Sequence, residues 1–84
     1  MALPTQPVNL SVEEIGALQR QLSTMRHDVN NHLSLIMAAV ELVRHKPHMA
    51  ERMLATLAEQ PPKISESIRK FSADFEKALD ITKP

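Results

Sequence analysis

A heptad repeat of mostly apolar residues runs through the first half of the chain and constrains the fold more than any other feature. Its members are spaced alternately three and four residues apart: Ile15, Leu18, Leu22, Met25, Val29, His32, Ile36, Ala39 and Val43. This spacing predicts an α-helix that packs one face against another helix. With Val29 at an a position and Met25 and His32 at d positions, His27 falls at f, farthest from the seam. We therefore expect the His27 side chain to point into solvent.

The start of this first helix is marked by a capping signal. Ser11 is followed three residues later by Glu14, the pattern in which each side chain satisfies a backbone N–H at the helix start. The predicted helix covers 12–44, and the preceding residues 1–10, which include Pro4 and Pro7, are expected to form a flexible N-terminal arm.

A second apolar repeat predicts a second helix over 47–79, after a turn at 45–46. Its members are Ala50, Leu54, Leu57, Pro61, Ile64, Ile68, Phe71, Phe75 and Ala78. The repeat keeps its register through Pro61 and Pro62, so we predict one helix with a kink at 61–62 rather than two helices. Residues 81–84 are expected to form a short tail, and residues 11–80 a single hairpin domain.

A turn this short makes the two helices antiparallel neighbours. His32 should then lie level with Pro61, and His27 level with Glu66. A buried imidazole needs a hydrogen-bond partner, and the prolines leave two backbone carbonyls without their usual donors. We therefore predict that His32 donates to the carbonyl of Leu57 or Ala58.

The composition narrows the class of protein. The chain has 84 residues, one glycine, no cysteine, 43% hydrophobic residues, and ten basic against ten acidic residues. Zero net charge gives no electrostatic footprint for nucleic acid or an anionic membrane, and the lack of cysteine excludes disulfides and thiolate metal sites. No segment reads as a signal peptide or a membrane span, so we expect a soluble, cytoplasmic chain.

The apolar stripes of both helices are wider than one partner helix can cover, and a lone hairpin of this size has too small a core. We therefore predict an all-α fold in which an antiparallel two-helix hairpin forms a homodimeric four-helix bundle.

The polar residues in the middle of the first repeat carry the candidate chemistry. The run His27-Asp28-Val29-Asn30-Asn31-His32-Leu33 resembles the phosphoacceptor box of two-component sensor histidine kinases, in the subgroup written H-D-x-N-N-x-L. The resemblance implies that this chain is the dimerisation and phosphoacceptor domain of such a kinase. His27 would carry a phosphoryl group between a kinase nucleotide-binding domain and the aspartate of a response-regulator receiver domain.

The resemblance also implies roles for the neighbours of His27. Asp28 would act as the acid or base that polarises the imidazole, and Asn31 would orient water for removal of phosphate from a partner aspartate. Asn30 matches the subgroup pattern without a firm role. Many family members have a proline where this chain has His32, which puts the family's account of helix bending in doubt here; Pro61 and Pro62 are the candidate structural counterparts in the second helix.

A receiver domain that reaches His27 should touch the outer face of both helices. The expected partner-binding residues are Arg20, Thr24, Asn30, Lys63, Arg69 and Lys70. For any one of these residues taken alone, a simple role in solubility is the preferred interpretation.

The family's nucleotide-binding domain, with its glycine-rich boxes, has no counterpart in a chain with one glycine. ATP and Mg are therefore implied only for a separate domain acting in cis or in trans, and we expect no cofactor in this chain and no autophosphorylation by the chain alone. The hairpin is either an excised piece of a larger kinase or a free-standing phosphotransfer protein.

Three other interpretations remain open. The monomeric four-helix histidine phosphotransfer class usually has a lysine and a glycine soon after the histidine, which this chain lacks. A metal-binding bundle would use the histidines at positions 27, 32, 45 and 48, although these do not share a face. A plain helical dimerisation module would use the polar box only as a solvated surface.

Overall fold

The computed structural model describes residues 3–79, which form an all-helical hairpin. Helix α1 spans Val12–His45, a 3₁₀ turn spans Pro47–Met49, and helix α2 spans Ala50–Ala78. The two long helices pack side by side in antiparallel directions. The predicted all-α hairpin is therefore confirmed. The predicted tail at 81–84 lies outside the described residues, as do the first two residues of the predicted arm.

The predicted capping signal forms at the start of α1. The Ser11 hydroxyl accepts a hydrogen bond from the Glu14 backbone N–H at 3.1 Å. The Glu14 carboxylate accepts from the Ser11 backbone N–H, also at 3.1 Å. These reciprocal bonds satisfy two of the four N–H groups that a helix start leaves unpaired, and they fix where α1 begins.

The connection between the helices differs slightly from its prediction. Helix α1 extends one residue further than expected, to His45, and the Lys46 backbone N–H closes it by donating to the Leu42 carbonyl at 2.7 Å. Pro47 then opens a single 3₁₀ turn rather than the first turn of α2. Proline suits this place because its missing N–H would have no helical acceptor there.

Helix α2 is continuous over 29 residues and contains both Pro61 and Pro62. Neither proline has an N–H to donate, so the carbonyls of Leu57 and Ala58 lack their usual donors four residues on. The expectation of one helix rather than two therefore holds, and a bend at the prolines stays a prediction.

The hairpin is thin and has almost no core of its own. Its dimensions are 58 × 28 × 12 Å and its radius of gyration is 18.1 Å, against about 12 Å for a compact chain of this length. Within residues 3–79, Ala39 is the only buried apolar residue, at 3% exposure. The solvent-accessible area is 6554 Å², about 1,500 Å² more than a compact monomer of this mass exposes.

Apolar side chains line one exposed side of α2 at seven-residue spacing. Leu54 is 61% exposed, Ile68 is 47% exposed and Phe75 is 38% exposed, and the exposed Pro61 fills the remaining position of the series. We call these four residues the α2 apolar column. Helix α1 also presents large exposed apolar side chains, at Val12, Ile15, Leu33, Leu35, Met37 and Val40.

Candidate functional site around His27

His27 lies on the outer face of α1, as its f position predicts. Its side chain is 82% exposed. Helix α1 turns by about 100° per residue, so a residue at f lies across the helix from the seam that packs on α2. The imidazole is therefore open to approach by a second macromolecule along most of its edge.

The carboxylate of Asp28 lies beside one nitrogen of this ring. The distance from His27 Nδ1 to Asp28 Oδ1 is 3.8 Å, which is longer than a hydrogen bond but close enough for electrostatic attraction. A small rotation of either exposed side chain would bring an Nδ1–H onto the carboxylate. The neutral ring would then keep its lone pair on Nε2, the nitrogen away from Asp28.

Asn30 and Asn31 are both exposed on α1. Asn30 and Asn31 follow His27 by three and four residues, so both side chains are neighbours of the imidazole on one face of the helix. An amide beside the imidazole offers a donor and an acceptor without charge. Both amides therefore flank the candidate phosphoacceptor.

A groove of about 440 Å³ runs between α1 and α2 beside Asp28. Its lining combines apolar and charged side chains: Ala17, Arg20, Gln21, Thr24, Met25, Asp28, Glu66, Ser67, Lys70, Phe71 and Asp74. Three of the predicted partner-binding residues, Arg20, Thr24 and Lys70, therefore meet at this groove. His27 and Asn31 lie outside its lining.

Lys63 and Arg69 do not join that groove. Lys63 is exposed on α2. The guanidinium of Arg69 donates two hydrogen bonds to the Glu66 carboxylate, at 2.9 and 2.6 Å. These bonds, with the charge of Arg69, lower the pKa of the Glu66 carboxyl. The same bonds, with the charge of Glu66, raise the pKa of the Arg69 guanidinium. A partner that uses Arg69 would therefore meet a guanidinium already paired with Glu66.

The predicted hydrogen bond from His32 to a carbonyl freed by the prolines is wrong. His32 is half-buried, and its Nδ1 lies 2.8 Å from Oε1 of Gln60. Gln60 is itself 3% exposed and donates from Nε2 to the Thr56 carbonyl at 3.0 Å. The side chain of Gln60, the residue before Pro61, reaches His32, so the imidazole bonds to a side-chain oxygen instead of a backbone carbonyl.

Sequence reasoning missed Gln60, although a signal for it existed. The expected level of His32 on α2 was Pro61, one residue away from the observed partner. A glutamine next to that level is the side chain that can both accept from an imidazole and donate to its own helix.

Among residues 3–79, no three histidine, aspartate or glutamate side chains are arranged to hold a metal ion. None of the helices in this part of the chain has the length and apolar character needed to cross a bilayer.

Comparison with known proteins finds no matching family model, no matching curated sequence and no matching solved structure.

Proposed function

We propose that this chain is a phosphoacceptor and dimerisation hairpin of two-component signal transduction, with His27 as the residue that carries the phosphoryl group. The observation that supports this most is the geometry at His27: the ring is 82% exposed and a carboxylate lies 3.8 Å from Nδ1. An exposed ring can be reached by a protein partner. Because the carboxylate lies beside Nδ1, that nitrogen would hold the proton and Nε2 would keep the lone pair.

The reaction requires only one proton to be held in place. The lone pair of Nε2 attacks the phosphorus of an acyl phosphate on a receiver aspartate, and the bond from phosphorus to the carboxyl oxygen breaks. The carboxylate leaves with that electron pair, and the phosphorylated ring carries a positive charge. Asp28 stabilises this charge by accepting a hydrogen bond from Nδ1–H. In the reverse direction the same ring returns the phosphoryl group to an aspartate.

A kinase nucleotide-binding domain acting in cis or in trans would be the other phosphoryl donor, and ATP would bind to that domain. With that donor, Nε2 would attack the γ-phosphorus of ATP and ADP would leave. Asn31 lies on the same face of α1 as His27 and is the side chain suited to orient a water molecule when phosphate is removed from a partner aspartate.

The second copy of the chain is the proposed partner for the apolar side of the hairpin. The α2 apolar column repeats every seven residues, the spacing with which helices pair over many turns. The excess accessible area is about 1,500 Å² per hairpin, or about 3,000 Å² for two copies, which lies within the range that obligate homodimers bury. A chain with zero net charge does not repel its own copy. Two hairpins would then form a four-helix bundle with His27 on its outer surface.

The receiver domain is the proposed partner for the opposite side. The groove lined by Arg20, Thr24 and Lys70 lies beside Asp28, so a partner element seated there would be close to the His27 ring. Arg20 and Lys70 of this groove would pair with acidic groups of the receiver domain, while Asp28, Glu66 and Asp74 in the same lining would pair with basic ones. Asn30 and Lys63 are exposed but do not line this groove.

The test is transfer of a radioactive phosphoryl group from a phosphorylated receiver domain to the purified hairpin. We expect a label that is lost in acid and kept in alkali, as phosphohistidine chemistry requires, and that disappears in His27→Gln. His48→Gln is the matched control, because His48 is also exposed but lies at the turn. A stable helical dimer that takes no label from any receiver or nucleotide-binding domain would favour the plain dimerisation module instead.

A further inference from the structure

One polar contact joins the two helices through the interior of the hairpin. His32 of α1 lies 2.8 Å from Gln60 of α2, which in turn donates to the Thr56 carbonyl at 3.0 Å. Gln60 is the only buried polar residue among residues 3–79. A buried amide is tolerated where its hydrogen bonds are satisfied, and the bonds of Gln60 to His32 and Thr56 meet that requirement.

The Thr56 carbonyl fixes the orientation of the whole chain of hydrogen bonds. A carbonyl oxygen only accepts, so the NH₂ group of Gln60 must face Thr56 and Oε1 must face His32. Oε1 also only accepts, so His32 must donate from Nδ1–H. The Thr56 carbonyl of α2 thus determines, through Gln60, that Nδ1 of His32 carries a proton.

Every other side-chain hydrogen bond or ion pair found within residues 3–79 is local in the sequence. Each joins residues no more than four positions apart: Ser11 with Glu14, His27 with Asp28, Glu41 with Arg44 and His45, and Glu66 with Arg69. None of these contacts connects α1 with α2. Within the described residues, the contact between His32 and Gln60 is therefore the one directional side-chain bond that fixes how the helices are set against each other.

Apolar packing alone only weakly fixes the rotation and offset of α1 relative to α2. Only Ala39 is a buried apolar residue in the described part of the chain, and partly exposed aliphatic side chains can slide or rotate past one another at little cost. A single polar pair at a seam position is a recognised means of fixing the register of paired helices.

We propose that His32 and Gln60 form a positioning pair that sets the rotation of α1 and so presents His27 at the outer face. His27 and His32 are five residues apart, which corresponds to about 140° around the helix. When Nδ1 of His32 is held on Gln60, the His27 ring faces away from α2. This inference rests on the proposed function only for what His27 does; the fixed rotation itself is independent of it.

The pair makes a distinct prediction for two substitutions of His32. His32→Asn keeps a donor two bonds from Cβ, where Nδ1 stands, so it preserves the bond to Gln60. His32→Leu fills the seam but has no donor, and Gln60→Leu removes the acceptor. We expect His32→Asn to behave like the wild type and both leucine variants to lose the fixed rotation.

Electron paramagnetic resonance measures the setting of the helices directly. The chain has no cysteine, so spin labels attach only at introduced cysteines, for example Ser34→Cys on α1 and Glu59→Cys on α2, both exposed. Diluting labelled chains with unlabelled chains isolates the distance within one hairpin. We expect one narrow distance distribution in the wild type and in His32→Asn, and a broad or shifted one in His32→Leu and Gln60→Leu.

Two further readouts separate positioning from simple stabilisation. Nitrogen-15 spectra should show Nδ1 of His32 protonated. The rate of phosphoryl transfer to His27 should fall by about tenfold or more in the leucine variants, as expected for a misplaced reacting group, at unchanged helical content. It should stay near the wild-type rate in His32→Asn.

The outcomes are decisive in either direction. Unprotonated Nδ1, unchanged distances in His32→Leu, or a His32→Asn variant that fails like His32→Leu would each overturn the positioning pair. If the wild type accepts no phosphoryl group at all, the proposed function fails, while the spin-label distances and the nitrogen spectra still decide whether the pair sets the rotation.

Discussion

Shortening Leu54 to alanine tests whether the α2 apolar column is the surface on which two hairpins pair. Leu54 is 61% exposed in the single hairpin, and fully burying a leucine side chain contributes about 2 kcal/mol. Covering the exposed part therefore stabilises a dimer by about 1 kcal/mol per copy. Two-fold symmetry repeats the contact, so Leu54→Ala should weaken the dimer by about 2 kcal/mol, or about 30-fold in the dissociation constant.

Sedimentation over a range of protein concentrations measures this change. Arg52→Ala is the matched control. Arg52 is exposed on α2, two residues before Leu54 and outside the α2 apolar column. Both variants introduce alanine, so the new residue has the same helix propensity in each. We expect the control to dissociate like the wild type. Equal dissociation constants for the two variants, or a wild type that is monomeric at micromolar concentration, would refute the proposed dimer surface.

Three further predictions concern stability and ionisation. Ser11→Ala removes the cap of α1 and should cost about 1 kcal/mol, seen as a Tm lower by about 4–8 °C in a thermal melt; Ser23→Ala, at an exposed position inside α1, should not lower the Tm because alanine has the higher helix propensity. His32→Leu strands the buried Gln60 amide oxygen and should cost about 1–3 kcal/mol in denaturant unfolding, whereas His32→Leu combined with Gln60→Leu should recover much of this loss. Equal stability of the single and double variants would contradict that. The Glu66 carboxyl should titrate below its ordinary pKa of 4.5 because Arg69 donates to it, and a carbon-13 titration of Arg69→Ala should show that pKa restored. Because the folded pKa is lowered, the pair's contribution to stability is fully present above the unfolded pKa and is lost as the pH falls through the folded one, so this contribution should stay constant between neutrality and pH 5.

The main elements of the fold could be predicted from the sequence because the signals for them are local or periodic. The heptad spacing predicted α1 and its outward His27, and the sequence Ser11 to Glu14 predicted a capping box that forms with both hydrogen bonds. Pro47 marked the connection, and the uninterrupted apolar repeat across Pro61 and Pro62 indicated one helix. Each of these predictions depends on neighbours within about one turn, where physical rules are strongest.

The side-chain pairing between helices was harder to predict. Deciding that His32 meets Gln60 instead of a carbonyl at Leu57 or Ala58 required the axial register of the hairpin to within one residue. Sequence periodicity fixes the face of a helix much better than its axial offset. The contact between Arg69 and Glu66 is different, because it joins residues three apart on α2 and follows from helix spacing alone.

The measurement that tests the central proposal most directly is nitrogen-15 and phosphorus-31 spectroscopy of the histidine rings after exposure to a phosphorylated receiver domain. The chain has four histidines, so each ring can be assigned separately. We predict that phosphorus couples to Nε2 of His27 alone, while Nδ1 of that ring stays protonated toward Asp28. Coupling to any other histidine, or to Nδ1 of His27, would contradict the account.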